Sequence, residues 1–291
     1  MSGLNVSLGY FLVVVVLSEV AAFLLRLGPV WGFSAELPVS FMLVACWSEL
    51  GTLKDVGLWA GGFGPDVTLT LLFLVLMTHS IISRGASGNP AMTLRGFLLS
   101  DTSALSTLSC LAGQFTGAYL GRFFATYYWS LELTDMHMIQ NMMSSECSPS
   151  LRVSLSQGAF TEGICTLTFH LLAMRLSGSP VLCRVPLTAL AITALSYAAG
   201  GYTSGYFNPA LAYALTFNCP GFTLIEYAAV YWLGPLAGMT LALFLYTGHI
   251  PRLFARNLLY SQKSRYRVPV GKSSPDQMGR TGTKQGGKKG D

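Results

Sequence analysis

Gly85-Ala86-Ser87-Gly88-Asn89-Pro90-Ala91 and Tyr202-Thr203-Ser204-Gly205-Tyr206-Phe207-Asn208-Pro209-Ala210 decide how this chain folds. Both end in the same tripeptide, and the two copies stand 119 residues apart. Asn suits a helix N-cap, and Pro suits the first helical position because its missing N–H has no partner there anyway. Each triplet therefore predicts the start of a short helix, presenting an Asn amide at the positive end of a helix dipole.

The surrounding composition puts these helices in a bilayer. The chain is 52% hydrophobic and 11% charged over 291 residues, with a mean hydropathy of +0.50. About 20 apolar residues cross the hydrocarbon core. Apolar runs near that length occur at 5–27, 36–53, 67–84, 103–128, 153–174, 183–200 and 224–247. The segments opened by the triplets, 89–99 and 208–218, are too short to span. They read as re-entrant half-helices, stable at membrane depth only where protein buries them or a wet cavity receives them.

An inverted duplication explains the twin triplets. Gly113-Gln114-Phe115-Thr116-Gly117, followed by Gly121, lies in the run 103–128. Gly234-Pro235-Leu236-Ala237-Gly238 lies in the run 224–247, at nearly the triplet offset. Small residues at this spacing let helices approach closely. Two intramembrane carboxylates add a marker: Glu162 precedes Asn208 by 46 residues and Glu36 precedes Asn89 by 53, whereas Glu19 is 70 away. The repeat is thus helix, helix, half-helix, helix, spanning 35–128 and again 153–248, within a channel domain of 35–250. The N-terminal segment 1–34 stays outside it, with the opposite numbering, in which 5–27 is the first helix of the repeat, still open. Its run could be a seventh spanning helix, a signal anchor or a helix against the bundle; a cleaved signal peptide fits less well, because the run is long and ends at Arg26.

Ten of the eighteen Lys and Arg residues follow residue 250, in a Gly-, Ser- and Pro-rich tail, 251–291. That composition predicts disorder, and the positive-inside tendency places the tail in the cytosol. Arg84, Arg95, Arg175 and Arg184 fall on the same side, and Lys54 and Arg152 opposite, consistent with six crossings between 36 and 247. A solvated tail near lipid headgroups accounts for these charges better than a nucleic-acid role. Of six Cys, Cys147 and Cys219 share the non-cytosolic side, where a disulfide is one option. The four His (His79, His137, His170, His249) form no constellation, and no catalytic triad, phosphate loop or metal set is visible. No enzyme activity, cofactor or metal is expected.

If the two half-helices meet at the midplane, Asn89 and Asn208 each point an amide into a lumen. A water there accepts from both, and the converging dipole ends repel cations, protons included. Pro90 and Pro209 fix the helix starts, and Ala91 and Ala210 let the tips approach.

On these motifs the chain resembles the aquaporin (major intrinsic protein) family over about 35–248. The resemblance implies an all-α membrane protein: an inverted repeat of six transmembrane helices plus two re-entrant half-helices, to which the run 5–27 adds an extra N-terminal apolar helix. Glu36 and Glu162 match the family's two buried glutamates, which brace the loops bearing the half-helices. Cys219, nine residues beyond the second triplet, matches the unorthodox intracellular super-aquaporin branch; whether it packs or acts is open. Met1–Ser7 and Tyr231–Leu236 look closest to that branch's aquaporin-twelve type. The resemblance also implies a homotetramer in an intracellular membrane, such as the endoplasmic reticulum.

The mouth departs from the family pattern. Water-selective members follow the second triplet with Arg; here the position holds Leu211. The other filter positions fall at Leu69, Ser196 or Tyr197, and Gly205. Losing the Arg removes a fixed positive charge and a rigid donor fork. The lining becomes apolar unless Tyr197 or Tyr206 turns inward. Such a mouth should pass water and small neutral solutes such as glycerol or hydrogen peroxide. Two other readings stand beside the channel: a seven-helix receptor, which the repeat argues against, and a poreless intracellular membrane protein with a structural or partner-binding role.

Overall fold

The computed structural model describes residues 3–25, 31–144 and 147–254. The described residues up to 252 form one compact unit; the tail expected to be disordered lies, from residue 255 on, outside the described residues. In chain order the helices are α1 Gly3–Leu25, α2 Trp31–Asp55, α3 Gly57–Ala60, α4 Pro65–Ile82, α5 Pro90–Leu98, α6 Ala104–Ser130 and α7 Asp135–Ser144. They continue as α8 Leu155–Leu176, α9 Val181–Ala199, α10 Pro209–Thr216, α11 Leu224–Ala228, α12 Gly234–Thr247 and α13 Pro251–Phe254.

The boundaries follow local chemistry. Ser103 Oγ accepts the Ser106 N–H at 3.2 Å to open α6. Thr223 and Glu226 form a reciprocal capping box on α11. Gly248, at φ 73°, ends α12 in the left-handed conformation that costs glycine least. Between α11 and α12 the helix widens into one π turn, Ala229–Leu233. Pro235 explains it: it has no N–H for the Tyr231 carbonyl and its ring would crowd that oxygen, so the ladder opens. α7 occupies the middle of a stretch, 129–152, that reads as loop in the sequence. Its face is short, and Met136 and His137 are its buried residues.

Among the described residues four stretches are long and apolar enough to cross a membrane: α1, α4, α9 and the continuous Leu224–Thr247. α2, α6 and α8 have the length, at 25, 27 and 22 residues, but carry more polar groups. Those groups point inward: Glu36, Ser40, Glu49, Gln114, Glu162, Thr166 and His170 are all buried. Outward positions on α1 stay apolar, with Leu12, Val16 and Phe23 more than half exposed. A bundle so built offers lipid an apolar surface and keeps polarity inside.

The repeat is visible in packing. α6 lies along α2, and α12 along α8, as the most extensive helix pairs. A Cβ on Gly117 would collide with the Leu37 carbonyl, and one on Gly238 with the Gly163 carbonyl. Glycine is required there because backbone meets backbone. α1 packs on α2, contributing Tyr10 and Val14 to a core shared with Met42, Cys46, Leu72 and Val75.

Candidate functional site: two half-helix tips and the mouth above them

Asn89 caps α5, its Oδ1 accepting the Ala91 N–H at 2.9 Å. Asn208 caps α10 in the same way, accepting Ala210 N–H at 3.0 Å and Leu211 N–H at 3.3 Å. Pro90 and Pro209 take the first helical positions, and Ala91 and Ala210 are buried. The two amides then cross between the halves. Asn89 Nδ2 donates to the Phe207 carbonyl at 3.1 Å, and Asn208 Nδ2 to the Gly88 carbonyl at 2.7 Å. Each NH₂ carries two hydrogens, so this leaves one per Asn for anything passing between the tips. Gly88 and Phe207, the residues before each Asn, share a positive φ of 61° and 47°. That turn aims each carbonyl at the opposite Asn, at a backbone cost for the phenylalanine.

The carboxylates hold these loops from behind. Glu36 accepts the Ser87 and Gly88 N–H groups at 3.0 and 2.8 Å. Glu162 accepts Tyr206 and Phe207 N–H at 3.2 and 2.8 Å, and Thr203 Oγ1 at 2.6 Å. Each braces the two residues preceding an Asn, which is how an otherwise expensive buried carboxyl is satisfied. Gln114, between the glycines of α6, donates to Ser87 Oγ at 3.1 Å and Thr93 Oγ1 at 2.8 Å. Tyr231 donates to the Thr203 carbonyl at 2.9 Å. None of these bonds was read from the sequence: Gln114 stood there only within a glycine-spaced stretch, and Tyr231 carried no signal for its bond.

A cavity of about 490 Å³ has Leu69, Ser196, Tyr197 and Tyr206 in its wall. The other two filter candidates are not in that wall. Leu211 is packed at 1% exposure among Tyr206, Ala210 and Phe217. Gly205 is buried, its carbonyl accepting Ser196 Oγ at 3.1 Å. Tyr206 donates to or accepts from Ser150 Oγ at 2.7 Å. Tyr197 and Tyr206, the two side chains named as the exception to an apolar lining, are both in that wall, as is Ser196.

A disulfide joins Cys147 to Cys219, with Cα atoms 5.2 Å apart. It ties the segment after α7 to the end of α10, and gives Cys219 a covalent role where the sequence left packing and function open. The histidines are less scattered than they read. His137 Nε2 meets Glu49 Oε1 at 2.9 Å, both fully buried. Ser7 and Trp129 also donate to Glu49, at 2.5 and 2.9 Å. This four-helix knot of α1, α2, α6 and α7 was not legible, since its members are scattered along the chain and Glu49 and His137 alone are 88 residues apart. His170 Nδ1 lies 3.5 Å from Arg95 Nη1. Glu19, rejected as a repeat marker, pairs with Arg84 at 2.8 Å. Among the described residues no cluster of His, Cys, Asp or Glu could hold a metal ion.

Residues 39–246 match the profile of a family described as Major intrinsic protein. The chain is 47% identical to mouse "Aquaporin-12" over 94% of its own length and 96% of the relative's. It is 44% identical to human "Putative aquaporin-12A", covering 94% and 90%, and 32% identical to human "Aquaporin-11", covering 85% and 90%.

Proposed function

Because the chain belongs to the major intrinsic protein family, whose members are channels rather than enzymes, we propose that it is a passive channel for water and small neutral solutes. The observation that carries this reading is the reciprocal pair of bonds from Asn89 Nδ2 to Phe207 O and from Asn208 Nδ2 to Gly88 O. Those bonds fix both half-helix tips against each other and leave one amide hydrogen of each Asn free. A water between the tips accepts from both and is turned so that it cannot relay a proton onward, while the two helix dipoles repel cations. With Leu211 in place of a filter Arg, the mouth discriminates by size and polarity, and glycerol or hydrogen peroxide pass as well as water.

Resemblance to the intracellular branch extends the proposal to a homotetramer in an internal membrane, with the tail of 251–291 cytosolic. Lipid and the permeating solutes are its partners. Proteoliposomes test the channel. Osmotic shrinkage should exceed that of protein-free liposomes and fall with Asn208→Asp, which puts a carboxylate where the amide donates. Equal rates with and without the wild-type protein would overturn the channel and favour a poreless membrane protein.

A further inference from the structure

The sequence loses a cation at Leu211, and the structure supplies one from a different helix. Arg122 lies on α6, directly after Gly121, where α6 is pressed onto the α2 backbone at Phe41 and Ala45. It shares the wall of the cavity with the filter candidates Leu69, Ser196 and Tyr197, and with Trp47 and Tyr206. The guanidinium carbon sits 4.9 Å from the centroid of the Trp129 ring. That ring is itself fixed, since its Nε1 donates to buried Glu49. Neither ion pair of the described residues involves Arg122. A cation held on an aromatic face keeps its full charge, because a π face attracts without neutralising. The same wall carries Lys54 and Arg152 against a single carboxylate, Asp55, all three exposed. Arg122 is half-buried, so salt screens its field less than theirs.

The geometry points to Arg122 as the charge-selectivity residue of the mouth: it excludes cations from the vestibule, while the absence of a guanidinium at position 211 leaves the constriction free for neutral solutes wider than water. A fixed charge beside a low-dielectric wall acts through its field and needs no contact with the solute. Position 211 in a filter would have both repelled cations and filled space; here the two roles are separated. This rests on the channel reading above.

The experiment uses the full chain in proteoliposomes, as wild type, Arg122→Gln and Arg122→Lys, with sodium influx and osmotic water flux recorded on the same vesicles. The ratio of sodium to water flux should rise about tenfold in Arg122→Gln, as expected when a focused field is removed, and stay within about twofold of wild type in Arg122→Lys. A ratio unchanged in Arg122→Gln, with water flux present, overturns the inference and leaves the channel standing. Wild-type water flux equal to empty vesicles overturns both. Should Arg122→Gln not elute as folded protein, Arg122→Met, which keeps an unbranched stem and removes the charge, takes its place: the ratio should rise about tenfold, and an unchanged ratio with water flux present overturns the inference.

Discussion

Glu162 has no exposed surface and accepts three hydrogen bonds, two from the backbone of the turn that carries Asn208. Its counterpart Glu36 accepts two such backbone bonds and retains 5% exposure. The carboxylate suits both places because every partner is a donor and an ionised carboxyl only accepts. Glu162→Gln turns one acceptor into a donor facing donors, and should cost about 1–3 kcal/mol, the penalty for an unsatisfied buried group. Glu36→Gln should cost less. Thermal melting of the detergent-solubilised protein checks the order, and equal shifts would contradict it. Gly88 and Phe207 make the same point about backbone. One is glycine and the other is not, yet both adopt positive φ, because the crossing bonds to the Asn amides demand it.

At the scale of helices, the small-residue faces of α6 and α12 decide how near each half closes on itself. A Cβ at Gly117 or Gly238 meets a carbonyl oxygen of the facing helix, and a carbonyl cannot swing aside as a side chain can. Gly117→Ala and Gly238→Ala should each destabilise by about 1–3 kcal/mol, the usual cost of overpacking. Gly9→Ala on α1, with nothing within 4 Å of the added carbon, is the control and should leave the melting temperature unchanged. These positions were legible in the sequence, since the spacing of small residues is a local pattern. The half-helices were equally legible, with the prediction of 89–99 and 208–218 against Pro90–Leu98 and Pro209–Thr216. What composition missed was α7, whose short Met-rich turn lies outside the spanning runs.

For the molecule as a whole, two devices bind distant segments. The disulfide closes a loop between residues 72 apart in sequence. Removing it as Cys147→Ser or Cys219→Ser should cost about 2–4 kcal/mol by the loop-entropy argument. The two single variants and the double variant should melt alike, because each breaks the same bond, whereas Cys110→Ser should melt like wild type. The second device is Glu49, which gathers donors from α1, α6 and α7. Glu49→Ala leaves those donors unpaired in the core, and a loss of about 1–3 kcal/mol per stranded group follows. A melting curve matching wild type would show that α1 docks through apolar packing alone.

The sequence by itself determined the membrane class, the two half-helices, the repeat and the braces, because each is a local pattern or a pattern copied at a fixed offset. Length and hydropathy set the spans; Asn-Pro set the caps; duplication set the symmetry. Tertiary structure alone decided which cysteine Cys219 meets, why Glu49 and His137 are buried together, and that Arg122 joins Leu69, Ser196 and Tyr197 in the wall of one cavity. Those groups are brought together by how α1, α6 and α7 pack on α2. Contact between side chains on different helices depends on rotation and crossing geometry, which no single segment of the chain encodes.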